Sequence, residues 1–234
     1  MRFTFVTLFS QLIEGYFSDS ILRRAIDAEL IEVEFVNPRD FSTNKFLKVD
    51  DYQVGGGAGL VLEPLALSLA LDSIKRQNPK THIIFLTPCA KTFLQNDAKR
   101  LSQREHITLV CGRYEGFDER LIELYADEVF SIGDFILTGG ELAALCLCDS
   151  IARQVGGVLG NQDSLLGESY EKYLLEAPNF VKPHRFKNLT IPSEYSKGNH
   201  ARIADLKLKA AEAKTKFHRP DLYVRYKQGL NDEK

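Results

Sequence analysis

Apolar residues run almost unbroken through IIFLT at 83–87 and ITLVCG at 107–112. A strand covered on both faces of a sheet reads this way, because neither face meets water. Three further segments, 2–8, 31–36 and 128–132, are rich in β-branched and aromatic residues. With 82–87 and 107–111 they make five expected strands. Stretches with helical spacing of apolar residues fall at 18–29, 64–77, 91–104, 118–126 and 141–153. Strands alternating with helices predict an α/β fold whose mostly parallel sheet is covered on both faces.

The patterning lapses over 155–179, which contains GGVLGNQDS and is rich in Gly, Asn, Ser and acids. So long a weakly patterned segment is either functional or a linker. Beyond Pro183 comes a turn-like stretch, then helical spacing from about 200 to 217, and Pro220 favours a break or a fresh helix start. The C-terminal part reads as a small helical domain on a flexible connector. The expected division is 1–159, 160–181 and 182–234.

With 234 residues and 44% hydrophobic content the chain can bury a real core, and 26% charged residues beside 10% aromatics excludes a disordered or fibrous chain. No run approaches the ~18 apolar residues of a membrane span, and MRFTFVTLFS enters a strand pattern rather than a signal peptide. Cys89, Cys111, Cys146 and Cys148 lie inside apolar runs and match no zinc or C-x-x-C spacing. They are expected as buried free thiols in a reducing, cytosolic compartment. The net charge of −2 is uninformative, but its distribution is not. Residues 182–234 carry 13 Lys and Arg against 6 Asp and Glu, whereas the preceding 181 carry 17 against 26. A basic tail on an acidic body fits polyanion binding or a solvated helical face.

Three glycine clusters are the candidate chemistry. Gly55, Gly56, Gly57 and Gly59 follow Asp50 and Asp51 but carry no Walker A Lys and no clear preceding strand, so they make either a ligand loop or a mobile turn. Gly112–Gly116 and 131–141 each follow an expected strand and precede an expected helix, and Thr87-Pro88 ends a third strand. In open α/β sheets ligands bind beyond the carboxyl ends of strands, so these loops predict one pocket. They carry acids rather than lysines, which suits a neutral or cationic ligand such as an adenosyl sulfonium better than a phosphate. Arg153, beside the weakly patterned stretch holding Asp163 and Glu168, could form an acid/base site or serve the helix dipole. The five histidines show no metal spacing and read as surface or packing residues.

The segments VDDYQVGGGAG, LTP, LVCGRYEGFDERL, SIGDFILTGGELAAL, DSIAR, GVLGN and GNHARI, in this order, closely resemble the bacterial tRNA (guanine-37-N1)-methyltransferases of the SPOUT superfamily. The resemblance runs nearly end to end. It implies a parallel-sheet domain ending in a trefoil knot, with a small helical C-terminal domain, although knots are very rare. It implies S-adenosylmethionine held by Leu86, Thr87, Pro88, Gly112, Tyr114, Glu115, Ser131, Ile132, Gly133, Asp134, Phe135, Ile136, Leu137, Gly139 and Gly140. It implies tRNA contacts at Asp51, Gly55, Gly56, Gly57, Gly59, Asn199 and His200, a homodimer sharing its active sites, and a divalent ion, magnesium, without naming its ligands. Arg153 would stabilise charge on the guanine O6, and a carboxylate on an interdomain lid would take the N1 proton. The family usually has Asp-Ser there, whereas this chain has Glu168-Ser169, so Glu168 is the expected base and Asp163 the alternative. Val54, Gly156 and Leu206-Lys207 are further departures from the family pattern.

Overall fold

The computed structural model describes residues 1–161, 165 and 167–232, the side chains of 171 and 230–232 excepted. The chain divides into two compact units, Met1–Asn161 and Gln162–Lys234. In the first, β1 (Arg2–Val6) leads through short 3-10 turns to α1 (Ser20–Asp27) and β2 (Glu32–Val36). A small antiparallel hairpin follows, β3 (Asp50–Tyr52) and β4 (Leu60–Leu62). Then come α2 (Pro64–Gln77), β5 (His82–Thr92), α3 (Gln95–Leu101), β6 (His106–Cys111), α4 (Glu119–Tyr125), β7 (Glu128–Ser131) and α5 (Glu141–Ala152). Five strands form one parallel sheet in the order β2-β1-β6-β5-β7.

Alternation along the strands sends side chains to two cores. Phe3, Phe5, Ile84, Leu86, Ile107, Leu109 and Phe130 pack with α1, α3 and α5 through Leu22, Leu101, Leu147 and Ile151. Val6, Ile83, Phe85 and Val110 pack on the other face with Leu67, Leu71 and Ile74 of α2 and Leu121 of α4. Full burial of such side chains stabilises by about 1.5–3 kcal/mol each. Helix α2 coincides with its expected range. Pro64 fits the first turn, where no amide hydrogen is needed, and Glu63 accepts from Leu65 N and Ala66 N at 2.9 and 3.0 Å.

Three expectations need correction. The helix expected at 91–104 is shorter, because β5 leaves its ladder and returns to it: Leu86 and Lys91 both pair with Phe130. Lys91 Nζ sits 4.6 Å from the centre of the Phe130 ring and 3.5 Å from Glu128 Oε2, which favours keeping it in the strand. Helix α3 begins only at Gln95, where Asp97 accepts from Leu94 N at 3.1 Å. The helix expected at 18–29 is shorter: a 3-10 turn ends at Ser18, and α1 runs Ser20–Asp27 with a left-handed Ser20 (φ 62°) at its start. All four cysteines are free, but only Cys111 and Cys148 are buried; Cys89 stands on the β5 excursion and Cys146 on the exposed side of α5.

The second unit holds a two-residue-per-strand hairpin, β8 (Arg185–Phe186) with β9 (Leu189–Thr190), then α6 (His200–His218) and α7 (Pro220–Asp232). Ala211, Thr215, Leu222 and Tyr226 are buried between the helices, and Tyr226 Oη donates to Glu212 at 2.8 Å. Part of the expected lid stretch packs on α6: Leu175 N donates to Thr215 Oγ1 at 2.8 Å and Lys214 Nζ donates to Glu176 O at 3.1 Å. Among the described residues, no helix is long and apolar enough to cross a membrane.

Candidate active site

Three neighbouring strands, β6, β5 and β7, deliver their carboxyl ends to one place. Residues 87–90 leave the ladder after Leu86, with Cys89 N donating to Thr87 Oγ1 at 3.3 Å. The chain turns out of β6 at Gly112, and Tyr114 takes a left-handed conformation (φ 58°). After β7, Ser131 Oγ donates to Gly133 O at 2.9 Å, and the chain returns to start α5 at Gly140. Gly140 N donates to Gly112 O at 2.8 Å. A Cβ on Gly140 would stand 2.7 Å from Gly112 N and 2.9 Å from Cys111 Cα, so two backbones touch here and only glycine fits.

Between these loops lies a cleft of about 240 Å³. Of the residues expected to hold a cofactor, Leu86, Thr87, Pro88, Gly112, Tyr114, Glu115, Ser131, Ile132, Phe135, Ile136, Leu137, Gly139 and Gly140 line it, whereas Gly133 and Asp134 lie in the turn outside the lining. A larger groove of about 970 Å³, with Arg2, Lys80, Glu105 and His106 in its wall, opens where the strands begin. Size alone does not favour it, because the convergent loops and glycines are at the opposite ends of the strands.

A buried ion pair holds the cleft together. Glu141, only 2% exposed, accepts from Thr7 Oγ1 at 2.8 Å and from Arg113 Nε at 2.9 Å. Arg113 Nη2 approaches Oε2 at 2.9 Å but off the hydrogen-bonding direction, so charge rather than a directed bond holds that oxygen. Arg113 also donates to Thr138 O at 3.2 Å and lies 4.6 Å from the centre of the Phe9 ring. The pair thus ties the end of β1, the loop after β6 and the start of α5. Burial, and then Glu141, push the Cys111 thiol well up, so it stays protonated. Burial and a hydrogen bond to Asp50 raise the Tyr114 phenol. With Arg113 neutralised by Glu141, the exposed Glu115 carboxylate at the cleft makes no ion pair among the described residues. The cleft therefore suits a ligand carrying positive charge.

The first glycine cluster is the turn of the β3–β4 hairpin, so a strand does run into it, contrary to the sequence reading. Strands of three residues are too short to show alternation. Asp51 is exposed, accepts from Tyr52 N at 2.8 Å and pairs with Lys48 at 3.1 Å, and both contacts lower its pKa. Gly55 and Gly56 face open space, Gly57 lies against Gln53, and Gly59 lies against Glu115. Arg153 is the half-buried C-cap of α5, its N–H directed to Asp149 O at 3.1 Å. Glu168 belongs to the second unit and is half-buried, while Asp163 lies outside the described residues. In that unit Asn199 Oδ1 caps α6 by accepting from Arg202 N at 3.1 Å, and His200 is exposed at the helix start. Among the described residues no group of three or more His, Cys, Asp or Glu side chains is placed to hold a metal ion.

The family model described as tRNA (Guanine-1)-methyltransferase TrmD matches residues 1–225 of the chain. The chain belongs to this family. A tRNA (guanine-N(1)-)-methyltransferase of Sulfurimonas denitrificans is 61% identical over 231 residues, covering 99% of this chain and 100% of the relative. The enzymes of the same name from Campylobacter curvus and Campylobacter jejuni are 58% and 57% identical, covering 100% and 97% of this chain and 99% of each relative. Membership carries the SPOUT fold class with it, in line with the parallel sheet. The cleft also contains residues that sequence reasoning did not single out: Cys89, Arg113, Phe117, Phe130 and Ala143 line it, and Thr7 and Glu141 support it. Arg113 and Glu141 lay inside quoted motifs, but nothing in the sequence pairs them.

Proposed function

We propose that this chain, a tRNA guanine-N1-methyltransferase by family, methylates N1 of guanine 37 in the anticodon loop with S-adenosylmethionine held in the strand-end cleft. The observation that carries this reading is the convergence of three strand ends on one glycine-lined cleft bearing the Glu115 carboxylate, within a chain matching the family over residues 1–225. When bound, the cofactor supplies a sulfonium methyl group with a good leaving group. The backbone of Gly112, Gly139 and Gly140 approaches it closely, and Glu115 faces its positive charge.

Guanine N1 carries a proton and is a poor nucleophile until that proton leaves. Glu168 accepts it, and the Arg153 guanidinium holds the negative charge that develops on O6. The hairpin glycines, Asp51, Asn199 and His200 bind tRNA, and the basic segment 182–234 adds phosphate contacts. Residues 160–181 act as the lid. A homodimer sharing its active sites is supported by exposed Ile136 and Leu142 beside the cleft. The tight passage of Gly140 against Cys111 and Gly112 supports the trefoil knot. The enzyme works in the cytoplasm. For the implied magnesium ion, no group of three or more His, Cys, Asp or Glu side chains is placed to hold it among the described residues.

The test is single-turnover methylation of unmodified tRNA, with one-methylguanosine measured by nucleoside analysis. Glu168→Gln should lose about 100- to 10,000-fold in rate, as expected for a general base, with cofactor binding nearly intact. Higher pH should partly rescue it. Near-normal transfer by Glu168→Gln with collapse in Asp163→Asn would move the base to Asp163.

A further inference from the structure

The glycine hairpin and the loop after β6 form one ribbon. Leu60 O accepts from Glu115 N at 2.9 Å, Gly116 O accepts from Leu62 N at 3.0 Å, and Leu62 O accepts from Asp118 N at 3.3 Å. Gly59 sits at the edge of this ribbon. A Cβ there would stand 2.5 Å from Glu115 Oε1, 2.7 Å from Cγ and 3.0 Å from Cδ. Ordinary contact between carbon atoms is about 3.5–4.0 Å, so a side chain at 59 would displace Glu115 from where it lies. The carboxylate makes no ion pair among the described residues, and its side chain lies over Gly59.

We infer that Gly59 is a positioning residue, whose missing side chain places the Glu115 carboxylate at the cleft for the cationic part of the cofactor. This rests on the assignment of Glu115 as a cofactor contact. Gly56 provides a matched control from the same turn. Its φ of +86° is close to the +84° of Gly59, and it faces open space. Alanine at either position is placed at a similar positive φ, and only Gly59→Ala meets Glu115.

Calorimetry of the full chain with S-adenosylmethionine separates the two. Gly59→Ala should weaken binding about 10- to 100-fold, the value of one hydrogen bond to a charged group, whereas Gly56→Ala should change it by a factor of about 3 or less. In a Glu115→Ala background the two alanines should have the same small effect, since Gly59 acts only through that side chain. Equal weakening in Gly59→Ala and Gly56→Ala, or a Gly59→Ala effect that persists without Glu115, overturns the proposal. Unchanged affinity in Glu115→Ala alone overturns the cofactor assignment and the proposal with it, which distinguishes the two failures. Glu115→Asp, which leaves the hairpin intact, should weaken binding about tenfold by drawing the carboxylate back; wild-type affinity there also overturns the proposal.

Discussion

Arg113→Met tests how far the cleft depends on its buried ion pair. The substitution removes the donation to Glu141 Oε1 at 2.9 Å, the charge interaction with Oε2 at 2.9 Å and the bond to Thr138 O at 3.2 Å. Both hydrogen bonds have the charged guanidinium as donor, and such bonds contribute about 1.5–3 kcal/mol each. Glu141 would keep only Thr7 Oγ1 at 2.8 Å, leaving a carboxylate that is 2% exposed without a counter-charge. The total falls at about 3–5 kcal/mol, the usual cost of removing one partner of a buried pair. Urea unfolding followed by far-UV circular dichroism reads this as a midpoint lowered by about 1–2 M. Arg113→Met with Glu141→Gln removes the orphaned charge and should recover at least about 1 kcal/mol relative to Arg113→Met. A midpoint change under about 0.3 M, or a double variant whose effects simply add, would refute the argument.

Gly140→Ala should lower S-adenosylmethionine affinity about tenfold or more, because its Cβ meets the Gly112 and Cys111 backbone, which cannot rotate away; calorimetry checks this. Neutralising Lys207, Lys209 and Lys216 should flatten the salt dependence of tRNA binding, by about 0.7–0.9 in slope for each phosphate left without its cation. Lys214 donates to Glu176 O and Lys209 pairs with Asp205 at 2.8 Å within their own unit, so Lys207 and Lys216 carry most of the expected change. Burial raises the Glu128 carboxyl, but hydrogen bonds from Arg100 and His82 outweigh it and hold the group down at about 2 from an ordinary 4.5. Its contribution to stability is therefore complete above pH 4.5 and disappears as pH falls towards about 2. Acid unfolding of Glu128→Gln should show a shallower decline across that window.

Sequence reasoning reached the sheet because Ile83–Leu86 and Ile107–Cys111 are buried on both sides and so carry continuous apolar character. It reached α2 because its buried residues, Leu67, Ala70, Leu71 and Ile74, recur at helical spacing. The hairpin escaped because Asp50–Tyr52 is largely exposed and pairs only with Leu60–Leu62, which backbone bonds to 115–118 hold in place. Lys91 and Thr92 read as helix because return to a ladder depends on the partner strand, here Phe130 and Ser131. The cleft was legible as three loops after three strands. Its internal support was not: Thr7, Arg113 and Glu141 meet across separations of 134 and 28 residues, and no local spacing encodes such a meeting.

The double pairing of Phe130 has a consequence for engineering. Because Leu86 and Lys91 are both tied to the same residue of β7, the four residues 87–90 form a closed loop with fixed ends. Loop-closure entropy grows only logarithmically with length, about 0.6 kcal/mol for each doubling. A graft of about twice the length would therefore leave the ladder on both sides intact while rebuilding one wall of the cleft. This stretch is a natural insertion point for reshaping the cleft, where variation can accumulate without unravelling the sheet that carries it.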